Sequence, residues 1–256
     1  MISSNFKFQI SNLPLAALVC FYIVMWVGGV GSHFLFGQAP QDMKWAAPVF
    51  LLLAALIVLL TTELANLARL LTASAVGFAA EAIGVRYGFV FGAYIYTGEL
   101  GPQLFGVPLV MMCAWMALVA YADHMLPDCL PVAVRAVIAA LWLTAIDLVI
   151  DPLAAGELGY WRWQERGTYY GIPASNFAGW FTVSLLIFGL VGLLFGRGQQ
   201  SNSLPRLIGL SLILFFTFIA LAHHFVVIAI IGVLLCFVHF ILIYLRARMG
   251  RREISL

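Results

Sequence analysis

Two acidic residues stand one helical turn apart near the end of a long apolar run. Asp147 and Asp151 share a face of the predicted helix, because residues four apart are neighbours on a helix surface, and Pro152 is predicted to end that helix. Two carboxyls so close in apolar surroundings are expected to hold one proton between them at neutral pH. Such a pair supplies a Brønsted acid beside its conjugate base. We predict that both aspartates are catalytic. The alternative is that Asp151 caps a loop or pairs with Arg162 or Arg166, while Asp147 forms hydrogen bonds with a neighbouring helix.

A third acid, Glu81, lies near the end of another apolar run. It is predicted to reach the same side of the membrane as the two aspartates. Carboxylates inside a membrane are costly and are usually functional, so Glu81 is the third candidate catalytic residue. The alternative is that Arg86, five residues further on, neutralises it.

Aromatic residues crowd the two connections that follow these acids. A belt of interfacial aromatics accounts for many of them, but a belt does not require such density on one side, interleaved with glycines and acids. Aromatic faces can stabilise a carbocation through the ring quadrupole, which indicates chemistry on an apolar, electron-rich substrate. The residues predicted to bind that substrate are Tyr94, Tyr96, Trp161, Trp163, Tyr169, Tyr170, Asn176, Trp180 and Arg86.

The motifs of metal and cofactor sites are missing from the sequence. The five histidines contain no HxxxH or HxxHH set, and the four cysteines contain no CxxC. His33, His223 and His224 fall at the same ends of their spans and could meet in space. His223 and His224 are adjacent, however, and adjacent residues point about 100° apart on a helix, which disfavours a shared metal site. No GxGxxG follows a strand, which disfavours nicotinamide or flavin chemistry. We therefore predict no metal and no cofactor.

The composition is that of an integral membrane protein, since 64% of the residues are hydrophobic and 9% are charged. Long unbroken apolar runs favour a polytopic all-α bundle over a barrel. About 20 apolar residues cross the hydrocarbon, so we predict eight transmembrane helices, with seven as the alternative. The predicted spans are 13–36, 46–62, 64–83, 104–124, 132–151, 177–195, 204–222 and 225–245.

The distribution of lysine and arginine favours an N terminus and a C terminus in the cytoplasm, since most of these residues then lie inside. The basic C-terminal tail is interpreted as a topology signal or a contact with anionic headgroups, and no nucleic-acid partner is predicted.

No polar linker divides the chain, so residues 1–256 are predicted to form one integral membrane domain with a functional core at 81–180. Asp123, His124 and Asp128 are interpreted as solvated loop residues.

Four motifs together resemble one known family. They are YGFVFGAYIYTGELGPQLFGVP at 87–108, DLVIDP at 147–152, GYWRW at 159–163 and YYGIPASNFAGW at 169–180. This set resembles the carotenoid biosynthesis protein family, whose characterised members are membrane carotenoid hydratases. The resemblance runs from about residue 81 to residue 180.

The resemblance implies a hydro-lyase that hydrates a terminal isoprenoid double bond of an acyclic carotenoid without a cofactor. Glu81, Asp147 and Asp151 would supply the acid, and the reaction would pass through a tertiary carbocation that water attacks. The alternatives are a cyclase or isomerase with the same acids, a non-catalytic carotenoid or lipid binder, and a proton-coupled transporter. The expected partners are a carotenoid within the bilayer, membrane lipids and other carotenoid biosynthesis enzymes, in a bacterial or archaeal cytoplasmic membrane.

Overall fold

The computed structural model describes residues 3–127, 129–196 and 202–253. Within these ranges the chain forms eight α-helices and four short strands. The helices are α1 Ser3–Phe36, α2 Ala46–Thr61, α3 Leu64–Tyr87, α4 Met111–Met125, α5 Val132–Ala155, α6 Ala174–Phe195, α7 Leu204–Ala222 and α8 Val226–Glu253. The strands are β1 Tyr94–Tyr96, β2 Gln103–Leu104, β3 Val107–Pro108 and β4 Trp161–Trp163. All four strands lie at one end of the bundle, which we call the loop end.

Six of the helices, α1, α3, α5, α6, α7 and α8, are long and apolar enough to cross a membrane. The 16-residue α2 and the 15-residue α4 are shorter than the roughly 20 residues that a crossing helix needs. The predicted all-α membrane bundle is confirmed, and the chain is an integral membrane protein. The cytoplasmic position of both termini and the assignment of one domain stay predictions.

Helix α4 forms the centre of the bundle. Every residue from Trp115 to Met125 is buried, and α4 packs against α2, α3, α5, α7 and α8. A helix that is apolar all round is stable only inside such a core. Close approach to α3 is possible because Gly77 has no side chain; a Cβ there would collide with the Trp115 ring. This contact places Trp115 beside the loop-end half of α3.

The prediction that α5 ends at Pro152 is wrong. The helix continues to Ala155, and the Pro152 carbonyl accepts a hydrogen bond from Gly156 N–H at 3.1 Å. The Ala154 carbonyl accepts from Tyr160 N–H at 2.8 Å. The carbonyls of the last turn are thus satisfied although a proline cannot donate within the helix. Asp151 consequently lies a full turn inside α5 and faces the protein interior.

Other helix ends also differ from the predicted spans: α1 begins at Ser3 and not at 13, and α8 continues to Glu253 and not to 245. Helix α3 extends to Tyr87, and α6 begins three residues early, at Ala174. Helix α4 begins at Met111 and not at 104, because β2 and β3 form an antiparallel hairpin there. Phe105 and Gly106 occupy the turn with φ of 55° and 81°, a backbone region that a helix cannot use.

Pairing of β1 with β4 joins the two long connections, which the sequence alone presents as separate loops. The antiparallel register sets Tyr94 opposite Trp163 and Tyr96 opposite Trp161. Residues two apart on a strand point to the same face, so each strand directs both of its aromatic residues to one side. This two-stranded sheet closes the loop end of the bundle above the acids.

The prediction about the residues at the opposite end of the bundle is also wrong. Asp123 and His124 are buried on α4 and are not solvated loop residues. The Asp123 carboxylate accepts hydrogen bonds from Arg69 and Arg135, each at 2.8 Å. The two guanidinium groups offset the cost of burying that charge. Asp128 lies outside the described residues.

Candidate active site

One carboxamide bridges the two aspartates of α5. Asn176 Nδ2 lies 2.7 Å from Oδ2 of Asp147 and 2.7 Å from Oδ2 of Asp151. Because an amide nitrogen carries two hydrogens, it can donate one to each carboxyl. Asp147 is 2% exposed and Asp151 is 1% exposed. The pair is therefore held inside the protein by a neutral donor.

The first turn of α6 positions that carboxamide. Pro173 precedes the helix, and its carbonyl accepts from the Asn176 N–H at 3.0 Å. Proline is favoured at a helix start, where the missing N–H is not needed. Helix α6 also approaches the first long connection closely, since a Cβ at Gly179 would collide with the Val90 carbonyl. The side chain of Asn176 is buried against α5 as a result.

Strand β4 supplies a second donor to Asp151. Trp161 Nε1 donates to Asp151 Oδ1 at 2.7 Å, so each oxygen of this carboxyl accepts one hydrogen bond. Arg162 and Arg166 are exposed. The alternative in which one of them pairs with Asp151 is thus not the arrangement found in the described part of the chain.

Three neutral donors surround Glu81, which is 4% exposed. The phenols of Tyr94 and Tyr96 both donate to Oε2, the second at 3.0 Å. The indole of Trp115 donates to Oε1 at 3.3 Å. Burial, and next the negative charge of Glu81, hold the pKa of both phenols well above its ordinary value. The phenols therefore remain protonated donors to the carboxylate at any physiological pH.

A small chamber lies between the Glu81 and Asp151 carboxyls. It offers about 20 Å³ to the centre of a water molecule, which is enough for one water. We call it the acid chamber. Its lining residues are Glu81, Phe91, Tyr94, Tyr96, Met111, Asp151, Trp161, Trp163, Asn176 and Trp180.

Aromatic rings form most of the chamber wall and pack against one another. The Tyr94 and Trp163 rings lie 5.0 Å apart, and the Tyr96 and Trp161 rings lie 5.7 Å apart. Behind them, Trp180 stacks on Trp115 at 4.5 Å. Rings at these separations favour one another beyond the area they bury. The chamber wall is therefore a packed set of aromatic rings.

One polar group on this wall is unsatisfied. Trp163 Nε1 is buried and makes no hydrogen bond of ordinary geometry among the described residues, although it also interacts with the Asp151 carboxyl. A buried indole N–H usually has a partner. A water in the chamber could accept from Trp163 and donate to the neighbouring carboxyls, which gives it the two or more polar partners that a buried water needs.

Most of the predicted site residues come together in the acid chamber. Asp147 lies behind it and is connected to it through Asn176. Three predicted substrate-binding residues lie elsewhere. Arg86 is exposed above the Tyr87 ring, at 5.7 Å from its centre, and the alternative in which it neutralises Glu81 is not found, because Glu81 has three neutral donors.

The two adjacent tyrosines of the second connection also lie outside the chamber. Tyr169 donates to the Leu148 carbonyl at 2.9 Å, and Tyr170 is 41% exposed and packs against Phe225. Burial, and next the charge of Tyr170, raise the pKa of Tyr169 to about 12. These rings support the connection around Asp147 from its outer face.

The sequence reasoning missed three residues of the site, Phe91, Met111 and Trp115. Phe91 and Met111 carry no polar atom and offer no signal beyond hydrophobicity. Trp115 does offer a signal in the sequence, because an indole N–H in the middle of an apolar helix requires an acceptor. A search for that acceptor would have led to Glu81.

The electrostatics of the site are those of acid–base chemistry. Three buried carboxyls face neutral phenols, indoles and one carboxamide, so negative charge is stabilised by hydrogen bonds and not by cations. A site of this kind can hold a proton on one carboxyl while another accepts one. In the part of the chain that the structure describes, no group of three His, Cys, Asp or Glu residues could hold a metal ion.

Comparisons with known proteins agree with the motifs. The chain is similar to the bisanhydrobacterioruberin hydratase of Haloarcula japonica, with 33% identity over 136 residues, which make up 49% of this chain and 43% of that protein. The chain thus matches less than half the length of this relative. No solved structure matches. A model of the carotenoid biosynthesis protein family matches residues 45–239, which include every residue of the acid chamber. The chain belongs to the carotenoid biosynthesis protein family.

Proposed function

We propose that this chain is a hydro-lyase that adds water to a terminal isoprenoid double bond of an acyclic carotenoid, without a cofactor. One observation carries the proposal. Two carboxyls that line the same water-sized chamber, Asp151 and Glu81, lie inside a wall of aromatic rings. The similarity to a protein named as a hydratase supports the same class of reaction.

The reaction needs one acid, one water and one base. A carboxylic acid gives its proton to the less substituted carbon of the double bond, so that a C–H bond forms as the π bond breaks. The positive charge then lies on the tertiary carbon. Water attacks that carbon through oxygen, and the oxonium loses a proton to a carboxylate. The product is a tertiary alcohol, and one proton has returned to the protein.

Asp151 is the proposed proton donor. It lines the chamber, whereas Asp147 lies behind Asn176. A carboxyl group has about four acceptor sites, so the bonds from Trp161 and Asn176 leave room for the proton. Two carboxyls that share one amide in a dry site are poorly stabilised when both are ionised. Asp147 therefore acts as the partner that keeps a proton on the pair.

Glu81 is the proposed base. Its three neutral donors stabilise the carboxylate form. A carboxylate across the chamber from the acid can take the proton of the attacking water and can also stabilise the cation electrostatically. The Trp163 indole, whose N–H makes no hydrogen bond of ordinary geometry among the described residues, would donate to the water oxygen.

The chamber wall is suited to a short-lived cation. Trp161, Trp163 and Trp180 line the chamber beside which the tertiary carbon would form. Ring quadrupoles stabilise positive charge by about 2 kcal/mol or more in desolvated sites. A cyclase or isomerase would use the same cation, but the space for one water and the unsatisfied indole N–H favour hydration.

The proposed location and partners of the chain follow from the substrate class. A carotenoid is too apolar to leave the bilayer, so it would enter among the helices and meet the acids at the loop end. The proposed location is the cytoplasmic membrane of a bacterium or archaeon. Other carotenoid biosynthesis enzymes are proposed partners, because they would supply and remove the pigment within the same membrane.

The test is mass spectrometry of pigments from a bacterial host that makes acyclic carotenoids. The wild-type chain should add the mass of one water, and Asp151→Asn should abolish that gain. Glu99→Gln is the control, because Glu99, in the connection between α3 and α4, pairs with Lys44 at 2.7 Å and lies outside the chamber. Unchanged pigment from well-expressed wild type would contradict the proposal. A product of unchanged mass but different structure would favour the cyclase or isomerase.

A further inference from the structure

A larger cavity lies next to the acid chamber. It has a volume of about 290 Å³, close to the lower end of the range of about 300 to 1,000 Å³ that ligand pockets occupy. Its walls come from α1, α2 and α7 and from the segment after α5. The lining is almost entirely apolar and includes the rings of Phe50, Phe215 and Phe216. We call this cavity the apolar groove.

The groove and the chamber share a wall. Tyr160 lines the groove, and its ring lies 6.4 Å from that of Trp161, which lines the chamber. Tyr160 also packs in the same apolar cluster as Tyr96 and Met111, two further chamber residues. Thr97 N–H donates to the Tyr160 carbonyl at 2.9 Å, which fixes this segment against β1. Tyr160, which lines the groove, and Trp161, which lines the chamber, therefore lie side by side between the two spaces.

The groove has the length and shape of an extended chain. Its residues on α1 run from Val24 to His33, and at 1.5 Å per residue this is about 14 Å along the helix axis. Helix α1 lies at the edge of the bundle and buries little of its own surface. The groove thus borders the region that lipid occupies, which gives a bilayer-dissolved molecule a lateral route into it.

The α1 wall is built from glycines that leave space. A Cβ added at Gly28 would meet no atom within 4 Å, whereas one at Gly29 would press on the Phe215 ring at 2.8 Å. Gly28 lines the groove. The helix therefore contacts α7 through one glycine and leaves the groove open beside the other.

We propose that the apolar groove binds the isoprenoid chain of the substrate and brings its terminal double bond past Tyr160 to the wall of the acid chamber. This inference rests on the proposed function, because the chamber admits a water-sized group but no polyene. A flat, rigid, apolar chain matches the aromatic lining. The aliphatic chain of a membrane lipid is the competing occupant that the experiment must exclude.

The test measures binding without turnover. Asp151→Asn is expressed in the carotenoid-producing host, purified in detergent and analysed for bound pigment by absorbance and for bound phospholipid by mass spectrometry. Adding Gly28→Phe, which fills the groove, should lower the bound carotenoid by at least about tenfold. Gly31→Phe is the matched control, because a Cβ there also meets no atom within 4 Å but Gly31 does not line the groove. It should retain the pigment.

Each other outcome overturns the inference. Retention of carotenoid by the Gly28→Phe protein would place the chain elsewhere, and loss of phospholipid with carotenoid retained would assign the groove to an acyl chain. Absence of pigment from Asp151→Asn itself would also contradict it. If Gly28→Phe fails to give a monodisperse protein, Val24→Phe fills the same groove from the preceding turn. A wild-type chain that hydrates nothing would contradict the proposed function alone. The amount of carotenoid bound by the Asp151→Asn proteins is measured without turnover and tests the groove independently.

Discussion

The indole nitrogen of Trp161 lies 2.7 Å from the carboxylate oxygen Oδ1 of Asp151. Trp161→Phe would remove this donor and keep most of the ring. A hydrogen bond to a carboxylate contributes about 1.5 to 3 kcal/mol, so we expect hydration to fall about 10- to 100-fold. The rate of product formation in membranes with equal protein content measures the effect. Hydration at the wild-type rate would show that proton donation by Asp151 does not depend on this hydrogen bond.

Trp163→Phe tests the water-binding role of the second indole. Its N–H makes no hydrogen bond of ordinary geometry among the described residues, so its removal should cost the fold little stability. We expect about tenfold slower hydration, a larger share of isomeric products and a melting temperature close to that of the wild type. A lower melting temperature with normal hydration would contradict the role.

Asn176→Leu would leave Asp147 and Asp151 without their common donor. The expected loss of stability is about 3 kcal/mol, because two buried carboxyls each lose a hydrogen bond. Thermal unfolding in detergent measures it. Ser175→Ala is the control, since that hydroxyl makes one long bond, at 3.3 Å, to the Phe91 carbonyl. Equal melting temperatures for the two variants would contradict the bridging role.

The phenols of Tyr94 and Tyr96 should resist ionisation. Burial and the charge of Glu81 raise the pKa of both, so their protonated forms persist at pH values where free tyrosine, with a pKa of about 10, is ionised. The tyrosinate absorbance of folded protein at about pH 10 should therefore be the same for wild type and for the Tyr94→Phe, Tyr96→Phe double variant. A smaller signal from the double variant would show that the phenols titrate normally.

Gly77→Leu tests the contact that places Trp115 beside Glu81. Any Cβ at this position collides with the Trp115 ring, and overpacking in a core typically costs about 1 to 3 kcal/mol. We expect lower thermal stability together with lower hydration. Gly189→Leu on α6 is the control, because a Cβ there meets no atom within 4 Å. A Gly77→Leu protein as stable as the control would show that α3 and α4 can separate without cost.

Several features of the fold and site follow from the sequence because they are local. Apolar runs predict the helical membrane bundle from the length needed to cross the hydrocarbon. The spacing of four residues is sufficient to bring Asp147 and Asp151 to one face of α5. The motifs around Tyr94, Trp161 and Asn176 indicate the family, and they mark most of the chamber wall.

Other features required the tertiary structure. The pairing of β1 with β4 joins Tyr96 to Trp161, which are far apart in the chain, and no local pattern specifies such a partner. Glu81 acquires its donors from β1 and α4, and Arg86 is left at the surface. The last turn of α5 continues past Pro152 because its carbonyls find donors after the helix. Sequence periodicity determined which residues lie on one face of a helix, whereas the packing of distant segments decided which faces meet, since that packing minimises unsatisfied polar groups and empty space over the whole chain.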